Sequence, residues 1–181
     1  MDPVHPPDDA DRQARFTALA RAVVDPLRAY LVRRAPADAD DVLAEVLLVL
    51  WRRLDDVPAE ARLPWCYGVA RGCLANARRA ERRRARLADR VRGERVHEPG
   101  QDEPAYDQLH AALRRLPDGE QELLRLWAWE ELEPREIAVV LGISPNAVSI
   151  RLHRARRRLA ALLGESPAPQ PDRSRVKGGG A

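Results

Sequence analysis

Apolar residues recur at helical spacing along most of this chain, and strict alternation of the strand type is absent. The clearest register runs from Glu133 to Leu159. Ile137, Ala138 and Leu141 form one stripe, and Gly142 then supplies a left-handed stop. Ser144 suits an N-cap, with Pro145 at the first helical position, where a missing N–H costs nothing. Val148, Leu152, Ala155, Leu159 and Leu162 follow at steps of four and three, which defines one buried face. Asn146, Ser149, Arg151, His153, Arg154, Arg157 and Arg158 lie off that face. A short helix, a glycine turn and a second helix with polar and basic residues outward is the layout of a helix-turn-helix, whose second helix enters the DNA major groove. On this segment alone the competing reading is a helical hairpin with a solvated basic face.

The same periodicity predicts five further helical stretches. One spans Arg12–Arg34, bent or broken at Pro26. A second spans Asp38–Leu54, with Asp38 as its cap. A third spans Leu63–Arg92, bent or broken after Ala80, where apolar residues thin out. Tyr106–Arg115 is the fourth. The fifth starts at Asp118, where Asp118 as N-cap and Gln121 three residues on match a capping box. Between the third and fourth lies GERVHEPGQDEP, polar and punctuated by proline and glycine. The predicted fold is therefore all-α: two small helical domains, 12–92 and 106–163, joined by a flexible linker over 93–105. Residues 1–11 and 164–181 read as disordered, because they hold too few apolar groups to offset the entropy of ordering. Fully extended, the linker reaches about 40 Å.

Two segments of the first domain carry more than a core requires. In VLAEVLLVLW (Val42 to Trp51) the apolar surface wraps most of the helix. Such a helix is either fully buried or covers two partners. A domain of this size has few fully buried positions, so a second protein is the alternative to a plain core helix. The other segment begins PWCYGVARGCLANARR. Trp65, Val69, Cys73 and Leu74 give it a buried side, while Arg71, Arg78, Arg79, Arg82, Arg83, Arg84 and Arg86 make it densely cationic. Like charges so close repel, and a polyanion whose phosphates they neutralise relieves that repulsion. Trp65 fits a core position better than a base-stacking platform.

Composition refines this picture. Net charge is only +3 over 181 residues, yet the first sixty lean acidic and arginine concentrates in 62–95 and 146–158. That segregation implies two nucleic-acid faces on a chain that is not basic throughout. Lys177 is the sole lysine, so the arginine bias also fits a GC-rich genome. Cys66 and Cys73 are seven apart on one helix, about 10 Å along the axis, too far for a disulfide and in keeping with a reducing cytoplasm. The acidic, proline-rich start is no signal peptide, and the longest apolar run is far too short to span a bilayer. His5, His97, His110 and His153 lack metal-ligand spacing. Neither a nucleophile–base set nor a Gly-rich phosphate loop stands out, so an enzyme and a bound cofactor are both disfavoured.

These segments together resemble the extracytoplasmic-function (group IV) sigma factors of bacterial RNA polymerase. DADDVLAEVLLVLW (Asp38 to Trp51) resembles that family's region 2 signature, PWCYGVARGCLANARR (Pro64 to Arg79) its −10 recognition and melting helix, and Leu116 to Leu159 its region 4. The resemblance implies docking on core RNA polymerase through Asp41, Glu45, Leu48 and Trp51. It implies capture of the opened −10 strand by Trp65, Tyr67, Arg71, Asn76, Arg78, Arg79 and Arg82. It implies −35 reading by Asn146, Ser149, Ile150, Arg151, His153 and Arg154, with Arg157 and Arg158 on phosphates. Promoter DNA and core polymerase are the implied partners, with an anti-sigma factor as a third, and the implied location is cytoplasmic. Elements about 17 base pairs apart lie about 58 Å apart, a span that two tethered domains can bridge. The chain departs from the family pattern at Gly72 and Asn76, where Asn and Asp are usual, at Asn146-Ala147 in place of Gly-Thr, at Ser149 in place of a basic residue, and at Ala44 in place of glutamine. The rival class is a helix-turn-helix regulator that never joins polymerase; it leaves the Val42–Trp51 helix and the arginine-rich helix unexplained.

Overall fold

The computed structural model describes residues 9–89 and 104–164 as seven α-helices and two short 3-10 turns. In order these are α1 (Asp9–Val32), α2 (Ala39–Arg52), turns at Leu54–Asp56 and Ala59–Ala61, α3 (Arg62–Asp89), α4 (Pro104–Arg114), α5 (Asp118–Ala128), α6 (Pro134–Leu141) and α7 (Pro145–Leu162). Most of the expected linker and tail lie outside the described residues.

Four local expectations need correction. Helix α1 begins at Asp9, so Asp9–Asp11 are helical; Asp9 and Asp11 sit in its first turn, where carboxylates favour the dipole. Pro26 lies inside α1 without ending it. Beyond it Leu27, Tyr30 and Leu31 are wholly buried, and that burial carries the helix through the proline. Helix α3 continues past Ala80 to Asp89. Helix α5 is capped by Pro117, not Asp118, and has no capping box; the Gln121 side-chain amide donates instead to the Leu116 carbonyl at 2.9 Å. A capping box does form elsewhere, between Glu133 and Glu136 at the start of α6.

Helices α1, α2 and α3 pack on one another around Val23, Leu27, Val46, Leu50, Cys66 and Ala70. A second body assembles from α4 to α7, where Leu113, Leu116, Leu124, Leu152 and Ala155 close a smaller core. These two bodies do not stand apart. Helix α6 packs against α3 as fully as it packs against α7, so Ile137, Ala138, Val140 and Val148 belong to the same apolar core as Leu27 and Tyr67.

The helix-turn-helix forms as its spacing predicts. Gly142 adopts φ 66°, ψ 36°, the left-handed conformation that ends α6, and its N–H donates to the Ala138 carbonyl. The Ser144 hydroxyl then accepts from the Ala147 N–H at 3.2 Å and opens α7. Both cysteines are free and buried. Burial pushes the Cys66 thiol up to about 12; burial and the nearby Glu45 carboxylate push Cys73 up to about 11.

Gly142→Ala is expected to lower stability by about 1–2 kcal/mol, because a Cβ is strained at positive φ. Gly72→Ala, in a helical conformation with open space around it, is expected to raise stability by up to about 1 kcal/mol. Urea melts of the two variants check the opposite signs. Both thiols are expected to resist a thiol reagent in the native chain and to react only after denaturation, since the neutral form prevails below pH 10; rapid native titration would contradict their burial.

Candidate nucleic-acid and polymerase interface

Helix α7 buries Val148, Leu152 and Ala155 against α5 and α6, and that fixes which face it presents outward. Asn146, Ser149, Ile150, Arg151, His153, Arg154, Arg157 and Arg158 are all exposed. Ile150 is 45 % exposed, an apolar residue of the kind that meets a thymine methyl. The Ser149 hydroxyl donates to the Pro145 carbonyl at 3.1 Å, a local bond that a base edge must displace or share. Arg158 pairs with Glu120 at 2.7 Å, and Arg156 lies over the Trp127 ring at 4.7 Å. Among the basic residues of α7, these two are therefore committed to their own domain in this structure.

On α2, Val42, Leu43, Val46 and Leu50 face the core, while Asp41 and Glu45 are exposed and Leu48 is 57 % exposed. The helix that reads as apolar all round thus leaves one large aliphatic side chain in water beside two carboxylates. Trp51 is half-buried, edge-on to Phe16 at 5.3 Å, with the Arg12 guanidinium over its ring at 5.2 Å. Arg12 also donates to the Trp51 carbonyl and pairs with Asp55, which pins the end of α2 to α1.

The arginine-rich helix α3 splits along its length. Arg71, Asn76, Arg78, Arg79 and Arg82 are exposed. Arg79 donates to the Asn76 side-chain oxygen at 2.6 Å, and Arg78 donates to the Arg34 carbonyl at 2.8 Å. Trp65 is half-buried against the core with Arg53 stacked on it at 5.0 Å, so its indole has a structural load. Tyr67 corrects the expectation of a strand contact: it is 3 % exposed and stacks on Tyr30 at 5.1 Å. Burial, then the Glu130 carboxylate, pushes its hydroxyl up to about 12.

Sequence reasoning missed the group that joins the two bodies. The Arg34 side chain is 2 % exposed and those of Glu130 and Glu122 are 1 % and 17 % exposed. Its Nε donates to Glu122 at 3.1 Å, its Nη1 to Glu130 at 2.9 Å and to the Tyr30 carbonyl at 3.1 Å. The Tyr30 hydroxyl donates to Glu122 at 3.0 Å, and Arg33 pairs with Glu130 as well. The guanidinium carbon stands 3.6 Å from the Tyr30 ring centre. Burial opposes the Arg34 charge, but Glu122 and its neighbours hold the proton more tightly than usual. Burial and then Glu122 push Tyr30 up as well, so it stays a neutral donor. Opposite charges far apart in sequence were the only available signal, and any surface pair of charges gives the same one.

Among the described residues no group of His, Cys, Asp or Glu could hold a metal ion, and no helix is long and apolar enough to cross a membrane. The Sigma-70, region 4 family model matches residues 106–159, the helices α4 to α7. The chain is 30 % identical over 147 residues to the ECF RNA polymerase sigma factor EcfG of Rhodopseudomonas palustris, which covers 78 % of this chain and 81 % of that protein. It is 32 % identical over 158 residues to the ECF RNA polymerase sigma factor SigF of Caulobacter vibrioides, covering 84 % and 87 %. Among solved structures, the sigma factor RpoE of Bartonella quintana, in complex with the anti-sigma factor NepR, shares the fold at a TM-score of 0.62 and 21 % identity, over 82 % of this chain and 96 % of that one.

Proposed function

Because the chain belongs to the extracytoplasmic-function sigma factors of RNA polymerase, we propose that residues 12–92 serve as its region 2 and 106–163 as its region 4, with the surfaces assigned as follows. Leu48, flanked by Asp41 and Glu45, enters an apolar, basic-rimmed site on the core enzyme, and Trp51 stiffens the end of that helix. Arg71, Asn76, Arg79 and Arg82 meet the opened −10 strand, the arginines neutralising phosphates. Arg78, which donates to the Arg34 carbonyl of the same body, joins them where a phosphate takes over that bond; Tyr67 and Trp65 support the helix from below. Helix α7 enters the −35 major groove with Asn146, Ser149, Ile150, Arg151, His153 and Arg154 nearest the bases and Arg157 on the backbone, where Arg158 joins it if a phosphate displaces Glu120.

The observation that carries this reading is Leu48. It is the most exposed large apolar side chain among the described residues, and it lies on a helix remote in sequence from the helix-turn-helix. A regulator that only grips DNA has no use for it; a subunit that must mount on a larger machine does. The chain acts by binding and not by catalysis, in the cytoplasm where polymerase works. The Bartonella relative was solved with an anti-sigma factor, and we extend that class of partner to this chain as its means of restraint.

Purified chain mixed with core enzyme is expected to start run-off transcripts at defined sites; no defined start would reject the assignment. Leu48→Asp is expected to abolish holoenzyme assembly in gel filtration while circular dichroism stays native. An intact complex would remove the docking face from α2. Arg154→Ala is expected to weaken −35 binding by the holoenzyme by about 1–3 kcal/mol and to blur base preference there. Binding selections on the variant test this, and undiminished selectivity would move base reading to other residues.

A further inference from the structure

Two clefts of this chain concentrate charge, and they differ in how that charge is balanced. The larger, about 550 Å³ between α2 and α3, sets Asp38, Asp41, Glu45 and Glu81 against Arg83 and Arg84. Anions and cations share that groove. The smaller, about 360 Å³, is walled by α3, by the first turns of α5, by the turn between α6 and α7 and by α7 itself. Arg71 lines it from α3. Arg151 and Arg154, three apart and so on one face of α7, line it from the second body.

The carboxylates in this smaller wall are already taken. Glu120 pairs with Arg158 at 2.7 Å. Glu122 accepts from Arg34 at 3.1 and 3.2 Å and from the Tyr30 hydroxyl at 3.0 Å. Among the described residues no ion pair ties Arg71, Arg151 or Arg154. Three guanidinium groups around one small space repel, and an anion among them relieves that repulsion. Arginine suits phosphate above other anions, because its planar fork meets phosphate oxygens in paired bonds. One phosphate group carries about −1.5 to −2 charge, short of the three positive charges present, so two or more linked phosphates match the set better.

Much of the remaining wall is apolar. Pro117, Leu123, Leu141 and Ile143 supply it, and Leu141 and Ile143 are only half-buried by the protein. A bare inorganic anion leaves that surface wet, whereas a ligand with a flat body covers it. Apolar walls with a few convergent polar groups, in a volume of about 300–1,000 Å³, are the form that small-molecule sites take.

We infer that the cleft between α3, α5 and α7 binds a nucleoside polyphosphate, its phosphates held by Arg71, Arg151 and Arg154 and its base laid on Leu141 and Ile143. The site belongs to the free chain and does not rest on the promoter reading, which run-off transcription decides whatever the cleft binds. Two of its three arginines are those assigned above to −35 bases, so ligand and promoter draw on the same groups.

Calorimetric titration of the free full-length chain tests the site, with adenosine and guanosine diphosphates, the two nucleosides and inorganic pyrophosphate as the probes. Physiological salt is used, where exposed charges more than about 8 Å apart are largely screened. A diphosphate is expected to bind at one site, pyrophosphate on the order of tenfold more weakly, and the nucleosides not measurably. Arg71→Gln, Arg151→Gln and Arg154→Gln are each expected to weaken the diphosphate about tenfold or more, the loss of one charge-assisted contact. Arg82→Gln and Arg157→Gln remove arginines of the same two helices outside the cleft and are expected to change it less than about twofold. All five positions are exposed, so circular dichroism is expected to stay native. Wild-type chain that binds no diphosphate at millimolar concentration overturns the site. An equal loss across all five variants overturns it as well, since that is diffuse attraction to a basic surface. Pyrophosphate as tight as the diphosphates overturns the nucleoside ligand. A non-promoter duplex that binds through Arg71 while no mononucleotide binds assigns the cleft to DNA and overturns the proposal.

Discussion

A guanidinium shut away from water between two carboxylates governs how this molecule can behave. Arg34 is stable where it is only because Glu122, Glu130 and the Tyr30 carbonyl occupy its donors and the Tyr30 ring lies against its face. Tyr30 stands four residues back, near the end of α1, whereas Glu122 comes from α5 and Glu130 from the turn beyond it. Satisfying one cation therefore specifies the relative placement of two bodies that their individual cores leave free. Replacing such a cluster with apolar side chains would serve stability equally well or better. What ions add is a seam whose components are as comfortable in water as in contact, provided that they leave together.

The apolar part of the seam follows a different logic. Leu126, Ile137, Ala138 and Val140 belong to the same core as Leu27 and Ala70, so the boundary between the bodies is packed like an interior. Where α3 crosses α6, Gly68 faces the Val140 backbone, and a Cβ there would stand in ordinary van der Waals contact, 3.4 Å from the Val140 oxygen. Gly68 is also a point of higher backbone freedom within α3. Gly72, one turn further on, is a second such point, with nothing packed on it.

Electrostatics divide the labour among the arginines. Some have fixed partners in the structure: Arg12 ties α1 to the turn after α2, Arg34 joins the two bodies, and Arg158 ties α7 to α5. Arg71, Arg82, Arg151, Arg154 and Arg157 project into solvent, the arrangement expected where phosphates will supply the missing anions. Composition could not make this distinction, because a chain that uses arginine for almost every positive charge marks structural and functional cations alike. Apolar residues show the same ambiguity. Leu47 and Leu48 are neighbours of one type, yet one packs toward the core and the other stands in water. Helical phase separates them only once the position of α1 is known.

Read alone, the amino-acid order determined the helices, the glycine turn and serine cap of the helix-turn-helix, the outward face of α7, and the family motifs with the surfaces they imply. All of these are short-range: periodicity, caps and turn chemistry act within a few residues, so they are written in consecutive positions. Tertiary structure alone decided that Pro26 and Ala80 do not interrupt their helices, that Tyr67 lies inside and not on the strand-facing surface, and that the two bodies close on each other. Those outcomes depend on burial and on pairings across roughly ninety positions, such as Arg34 with Glu122. Such partners are indistinguishable in the sequence from any other arginine and glutamate, because their energy comes from the water they jointly lose.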